Sequence, residues 1–429
     1  MTLLTLTALG ADTGARPAAL PELTVPQSCS VQLKENNKDA ANLDQIREVG
    51  FKYVRRGFLW SAVEKKPGVY DFTPYDTLVT NAHARGLSVL ATIALGNPLY
   101  APVHEEAGRA AYARYAAALV EHFKNDAILW ELWNEPNTMT FWGRHGKKCN
   151  TEPYAAEYVA LVNAAIKAMR AADPKCYIVG GSVSGLWKDS YEWQTFCFQK
   201  GILKSGIDAW SVHPYSTKNP EDYDEAYARV RRMMAEIGGV TNMAILNTER
   251  GFPIGKAEGH AGGDPKLSAE YQAWHFVRQY MVDLLHDIRL TSWYEWSGKE
   301  GFSLLNGPAG PGGKHMPAYE AAAVMIGQLN GYRLAGRVPL DAARDFVLRF
   351  VNPSGAVTWV AWTAPPPGES PDKIVPHEVM IPVSATGALA TVGLYGEKGT
   401  VAVQDGKVKL ALTGAPQYIV LPGSAERIP

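Results

Sequence analysis

No apolar run in this chain of 429 residues approaches the roughly 20 residues that a membrane-spanning helix needs. Charge of one sign does not accumulate either. Lys and Arg total 42 against 43 Asp and Glu, a formal net charge of -1. A phosphate-gripping surface needs a basic field, so nucleic acid is excluded as a partner. Cysteine is scarce: Cys29, Cys149, Cys176 and Cys197 are scattered, with no C-x-x-C pair, so they suggest no zinc site. They read as buried free thiols, with one disulfide through Cys149 as the alternative if the chain is exported. Internal repeats and blocks of like charge are missing too. The stretch Met1–Ala11 is largely apolar, but no basic residue precedes Arg16. Residues 1–24 therefore read as the remnant of an export signal or as a first strand. A periplasmic or secreted bacterial location is expected, with the cytoplasm as the alternative. The oligomeric state is left open.

The chain does have size and aromatic surface. Its length is too great for one ordinary domain and suits a large barrel with a smaller partner. Hydrophobic residues make up 46%, enough for a sizeable core. Twelve Trp and 20 Tyr lean toward sugar stacking over a metal or nucleotide site, although Trp also fills cores.

Apolar runs alternate with amphipathic stretches from about Val31 to Asn330. The expected strands are 31–33, 51–55, 87–93, 127–135, 176–180, 209–213, 243–249 and 290–294. Helical spacing between them is clearest at Asp39–Val49, which Gly50 stops, and at Tyr154–Ala172. Eight strands alternating with helices predict a (β/α)₈ TIM barrel over residues 25–330. After Gly331 short strands follow at close spacing: 346–351, 356–363, 379–383, 391–395, 400–403, 408–412 and 417–421. With no helical pattern between them, they predict a smaller C-terminal antiparallel β domain, sandwich-like, over 331–425. Within it Pro365–Gly368 reads as an exposed loop.

Two of the barrel strands end in carboxylates. Trp130-Glu131-Leu132-Trp133-Asn134-Glu135-Pro136-Asn137 places Glu135 at the end of strand four. Asn247-Thr248-Glu249-Arg250-Gly251 places Glu249 at the end of strand seven, 114 positions later (249 minus 135). A lone strand-end Glu is usually a solvated rim charge. Two facing the C-terminal mouth of one barrel match the paired carboxylates that break a glycosidic bond. Arg55, read at the end of strand two with Arg56 as the alternate, could keep a nearby carboxylate charged or simply salt-bridge within the barrel. His213 follows strand six in a supporting role, and Tyr215 is either a hydrogen-bond donor to the nucleophile or loop packing. Trp293, Tyr294 and Trp296 close strand eight, where a sugar platform is expected, while Trp60 is a platform or barrel packing. Asn134 could reach a sugar 2-hydroxyl. Strict alternation sends Asn134 and Glu135 to opposite faces, so both reach one sugar only if the strand twists or bulges.

At these residues the chain resembles the retaining glycoside hydrolases of clan A, whose acid/base and nucleophile motifs look like W-E-L-W-N-E-P-N and N-T-E-R-G. Val54-Arg55 through Trp60 and Glu64, Gly68–Phe72, Asp208–Tyr215 and Trp293–Ser297 are similar to family 39, with family 5 a near neighbour. Family 39 holds β-xylosidases, α-L-iduronidases and a bacterial endoglycosidase of exopolysaccharide. The resemblance implies a carbohydrate substrate, no cofactor and no metal, with Glu135 as general acid/base and Glu249 as nucleophile. It leaves open endo action on exopolysaccharide and exo action like a β-xylosidase. Two readings stand outside the class. One is a non-catalytic glycan-binding barrel. The other is a metal-dependent hydrolase, which the absence of an H-x-H pair disfavours. Loops 137–153, 251–267 and 298–316 decide between an open cleft and a blind pocket.

Overall fold

The computed structural model describes residues 19–34, 40–143, 148–215, 219–254, 267–298, 301–306 and 313–422. The export-signal reading of the N-terminus falls on residues largely outside these, as do parts of the three long loops. Eight parallel strands form a closed barrel: β1 (Cys29–Gln32), β2 (Tyr53–Leu59), β3 (Ser88–Ala94), β4 (Leu129–Leu132), β5 (Tyr177–Ser184), β6 (Ala209–His213), β7 (Ala244–Arg250) and β8 (Ile288–Trp293). They pair in chain order, and β1 closes on β8. A long helix follows each strand: Ala40–Val49, Thr73–His83, Glu106–His122, Glu152–Ala172, Lys188–Gln199, Tyr223–Glu236, Ala269–Leu285 and Pro317–Gln328. The fourth starts two residues before the expected position. Pro153 fits its first turn, where a missing N–H costs nothing.

Strand periodicity sorts the barrel interior into layers. Tyr53, Leu90, Leu129, Val179, Ala209, Leu246 and Leu290, one from each of β2 to β8, form an apolar cluster. Two residues further along, the same face carries Arg55, Thr92, Glu131, Ser211, Thr248 and Ser292, all buried. An apolar floor thus lies beneath a polar layer, and the polar layer lies beneath the mouth.

The C-terminal sheet has eight antiparallel strands: β9 (Arg333–Arg337), β10 (Asp345–Val351), β11 (Val357–Thr363), β12 (His377–Pro382), β13 (Ala388–Val392), β14 (Lys398–Gln404), β15 (Lys407–Leu412) and β16 (Gln417–Leu421). Their order is β9-β10-β11-β16-β13-β14-β15-β12. Sequence reading passed over β9, whose Arg333 and Arg337 flank Gly336 and leave no apolar alternation. The period of two divides the sheet's faces. Phe346, Leu348, Phe350, Val360 and Trp362 join the core that continues into the barrel. Val347, Trp359, Ala361 and Ile419 face a second core, with Ile381, Val408 and Leu410.

A buried ion pair sits where the two parts meet. Arg278, on the helix after β7, donates from Nε and Nη2 to the two oxygens of Glu221, each at 2.6 Å. Trp362 of β11 donates its indole N–H to Glu221 Oε1 at 2.8 Å. Glu221 follows β6, so this contact ties a mouth loop to the β domain. Removing one member of a buried pair strands the other charge, which costs about 3–5 kcal/mol. Arg278→Ala should therefore lower stability by that amount in urea unfolding. A change below roughly 1 kcal/mol, the scale of an exposed pair, would show that Glu221 is solvated.

All four cysteines are free and buried, so the alternative of a disulfide through Cys149 does not hold. Burial pushes the Cys29 thiol up to about 12.

Candidate active site

The strand carrying the first carboxylate is shorter than the sequence suggests. β4 stops at Leu132, and Glu135 lies three residues beyond it. The reason is local. Trp133 and Glu135 take positive φ values of 70° and 44°, which breaks the strand alternation. Left-handed backbone is costly away from glycine, and here neighbours hold it in place. Glu135 N–H donates to Ser182 C=O at 3.0 Å. Asn137 bridges to Ser184 through both its amide atoms, donating to the C=O at 2.8 Å and accepting from the N–H at 2.9 Å. The break lets Asn134 and Glu135 face the same mouth, as the bulge condition required.

Glu249 is the penultimate residue of β7, not its last. The pairing of β7 with β8 slips at two places, and both Thr248 and Glu249 reach groups inside the barrel. Arg55 is likewise not at a strand end: β2 runs on to Leu59, which leaves Arg55 as its third residue. Its side chain still reaches the mouth. Nε and Nη2 donate to Glu131 Oε2 at 2.9 and 2.7 Å. Nη1 donates to Gln32 Oε1 at 2.8 Å and to Glu249 Oε2 at 2.6 Å. Nη2 also donates to Asn134 Oδ1 at 3.0 Å. These five bonds match the five N–H groups of a guanidinium.

Sequence reading gave Glu131 no role of its own. It is fully buried and also accepts from Thr92 Oγ1 at 2.9 Å and Ser211 Oγ at 2.8 Å. Burial alone would raise its pKa. The charge of Arg55, aided by hydroxyl hydrogen bonds, wins and holds it below the usual carboxylate range. On Arg55, burial is likewise overcome by Glu131 and Glu249, and the guanidinium stays charged.

His213 joins the two halves of the site. Its Nδ1 lies 3.0 Å from Glu135 Oε1. Its Nε2 faces Thr248 Oγ1 at 3.1 Å, Ser182 Oγ at 3.2 Å and the Arg55 guanidinium at 3.5 Å. A guanidinium only donates and a hydroxyl can donate, so this environment assigns Nε2 as the acceptor. Nδ1–H then donates to Glu135. Ser182 reaches His213 through an irregularity in β5, where pairing with β6 slips between Gly180 and Val183. Gly181 permits the approach: a Cβ there would sit 2.5 Å from Ser211 O. Tyr215 donates its hydroxyl to Glu249 Oε1 at 3.3 Å. Burial first, then the charge of Glu249, raise its pKa well above the ordinary phenol value and keep it a donor.

The tryptophans fall elsewhere. Trp60, Trp293 and Trp296 are all fully buried and offer no face to a sugar. Trp60 stacks between Tyr100 and Tyr115 and donates to Glu64 Oε2. Trp293 donates to Phe302 O, and Trp296 to Asn42 Oδ1. Each indole N–H is therefore satisfied inside the protein. Tyr294, half-buried with Lys34 Nζ 4.9 Å from its ring centroid, is the strand-eight ring with open surface.

An oxygen of Glu135, an oxygen of Glu249 and a ring nitrogen of His213 all lie within 4.8 Å of one another. Nearest oxygens this close suit the roughly 5–5.5 Å carboxyl spacing of retaining glycosidases better than the roughly 6.5–9.5 Å of inverting ones. The side chains of Glu135 and Glu249 are 13% and 14% exposed, so both open to the mouth. The three atoms are also near enough to share a cation, although His213 would first have to yield its Nδ1 proton.

The buried carboxylates set an acid limit on stability. Burial opposes the charge on Glu221 and on Glu131, but Arg278 and Arg55 respectively hold both folded-state pKa values below the usual 4.5. Their stabilising contribution is therefore complete above pH 4.5 and is lost as pH falls through the lowered values. Urea midpoints should fall steeply below about pH 4.5. With Glu221→Gln the decline should be shallower, and an unchanged slope would contradict this assignment.

A model of the family described as cellulase (glycosyl hydrolase family 5) matches residues 19–285. A beta-xylosidase of Geobacillus stearothermophilus is 32% identical over 96 residues, spanning 21% of this chain but only 16% of that protein. Among solved structures, a family 39 glycoside hydrolase from Bacteroides cellulosilyticus WH2 superposes with a TM-score of 0.72 at 21% identity, covering 94% of this chain and 83% of that one. A monomeric beta-xylosidase from Caulobacter crescentus CB15 gives 0.64 at 16% identity, covering 96% and 98%. A GH30 endoxylanase from Clostridium papyrosolvens C71 gives 0.62 at 12%, covering 94% and 97%. At these identities the structural likeness is one of fold.

Proposed function

The chain belongs to the family described as cellulase (glycosyl hydrolase family 5), and we propose that it is a retaining glycoside hydrolase of polysaccharides or oligosaccharides. The observation that carries this reading is the pair of carboxylates held across one mouth, with their nearest oxygens within 4.8 Å. Glu249 is the nucleophile. It attacks the anomeric carbon while Glu135 protonates the departing oxygen, and a covalent glycosyl-enzyme forms. Glu135, now a base, takes a proton from water, and the water displaces Glu249. Arg55 and Tyr215 orient the two oxygens of Glu249. Glu131 takes two of the five guanidinium bonds, so the cation is shared and does not clamp the nucleophile alone. Asn134, fixed by Arg55, is placed to meet a sugar hydroxyl.

We infer endo action on a glycan chain as the finer reading. Exo action on xylosides is the second, favoured by the resemblance to a beta-xylosidase over 96 residues. Early products separate them: mixed oligosaccharides mark endo cleavage, and monosaccharide alone marks exo cleavage. Proton NMR of the first-formed anomer tests the mechanism, because retention is required and inversion would overturn it. Activity should survive a chelator. Its loss, with recovery on adding a divalent cation, would favour the metal-dependent reading.

A further inference from the structure

We propose that Arg250, the residue after the nucleophile, is a positioning residue that holds the Tyr215 hydroxyl against Glu249 and so sets the rate of the chemical step. This rests on the glycosidase reading above. The motif Asn247-Thr248-Glu249-Arg250-Gly251 carries a cation that no step of the mechanism uses. Arg250 is the last residue of β7 and only 4% exposed. A buried charge is costly, so the groups that hold it are informative.

Its contacts converge on the loop that carries Tyr215. The guanidinium carbon lies 5.2 Å from the centroid of the Tyr215 ring, within the roughly 6 Å of a cation–π contact. Nε–H donates to Tyr223 Oη at 2.9 Å, and Tyr223 in turn donates to Pro214 C=O at 2.7 Å. Both hydrogen bonds are buried. Arg250 thus grips Tyr215 twice, by the face of its ring and through the backbone of the residue before it. The grip has a fixed base. Tyr294 N–H donates to Arg250 C=O at 3.0 Å, and a Cβ on Gly251 would lie 2.1 Å from Tyr294 O.

The position of Tyr215 matters because its bond to the nucleophile is long. The hydroxyl stands 3.3 Å from Glu249 Oε1. A strong O–H···O⁻ bond runs at roughly 2.5–2.7 Å, so a small shift of the ring decides whether the bond is made. Arg55 holds the other oxygen, Oε2, at 2.6 Å. The aim of Oε1 therefore depends on Tyr215. The charge of Arg250 also acts on the phenol. It opposes the rise that burial and Glu249 give the Tyr215 pKa, which strengthens the hydroxyl as a donor. The nucleophile sits on β7 and its donor on the loop after β6, and Arg250 makes them one unit.

The test is a double-mutant cycle on the full-length protein, with dinitrophenyl β-cellobioside and dinitrophenyl β-xylobioside as substrates. Tyr215→Phe keeps the ring and should lose roughly 10- to 100-fold in kcat, as for one hydrogen bond to a charged group. Arg250→Met should lose roughly tenfold in kcat with KM within about twofold, because substrate binds as before and only the nucleophile is misaimed. Arg250→Lys keeps a charge for the ring and should recover part of that loss. In the Tyr215→Phe background Arg250→Met should cost less than about twofold more, since no hydroxyl is left to aim. Tyr223→Phe removes only the second grip. It should show a smaller loss with the same dependence on Tyr215, and it carries the cycle if Arg250→Met does not fold. Losses that multiply across the cycle, or a loss carried by KM, would overturn the positioning role while leaving the glycosidase reading intact. A wild type that turns over no aryl glycoside and no polysaccharide would overturn that reading and this one with it.

Discussion

Glu249→Ala is expected to lose activity on every substrate by roughly 10⁴-fold or more, whatever the leaving group. Without that carboxylate no glycosyl-enzyme forms, and an activated aryl leaving group cannot compensate. The folded barrel should persist, because Arg55 keeps its two bonds to Glu131 and those to Gln32 and Asn134. Azide should enter the space left by the side chain and attack from the nucleophile's face, giving a glycosyl azide of inverted configuration.

Glu135→Ala should behave differently. It should lose roughly 10²–10⁴-fold where the leaving oxygen needs a proton, the range for general acid catalysis. With an activated aryl glycoside, formation of the glycosyl-enzyme should be far less affected, and its hydrolysis should become rate-limiting. Azide, which needs no general base, should then attack the intermediate and give the retained anomer. Equal losses for both variants on all substrates, with no rescue, would mark the two Glu as structural. That result would favour the glycan-binding reading.

Much of this arrangement was legible in the sequence because the barrel repeats one physical rule. An apolar run followed by Gly, Pro or Asn marks a buried strand and its end, and it located all eight strands. The carboxylates at 135 and 249 stood out at two such ends. Errors arose where backbone geometry departs from the rule. The left-handed turns at Trp133 and Glu135 stop β4 early, and β2 runs four residues past Arg55. The Trp platforms failed because a ring at a strand end can turn inward, and Trp293 and Trp296 found partners in Phe302 and Asn42. Glu131 did leave a signal: it is a charge inside an apolar run, two residues past Leu129. The same offset gives Arg55 after Tyr53, Thr92 after Leu90 and Ser211 after Ala209. Read together, these pairs describe a polar layer above an apolar floor.

The central claim is that Glu249 forms the covalent bond to the sugar. A 2-deoxy-2-fluoro glycoside with an activated leaving group should trap that intermediate, since the fluorine slows both formation and breakdown while the activated leaving group restores formation alone. Intact mass followed by peptide mapping should show one sugar per chain, esterified to Glu249 in the peptide containing Asn247-Thr248-Glu249-Arg250. Labelling at Glu135 or Glu131, or turnover without any adduct and with an inverted first product, would contradict the account.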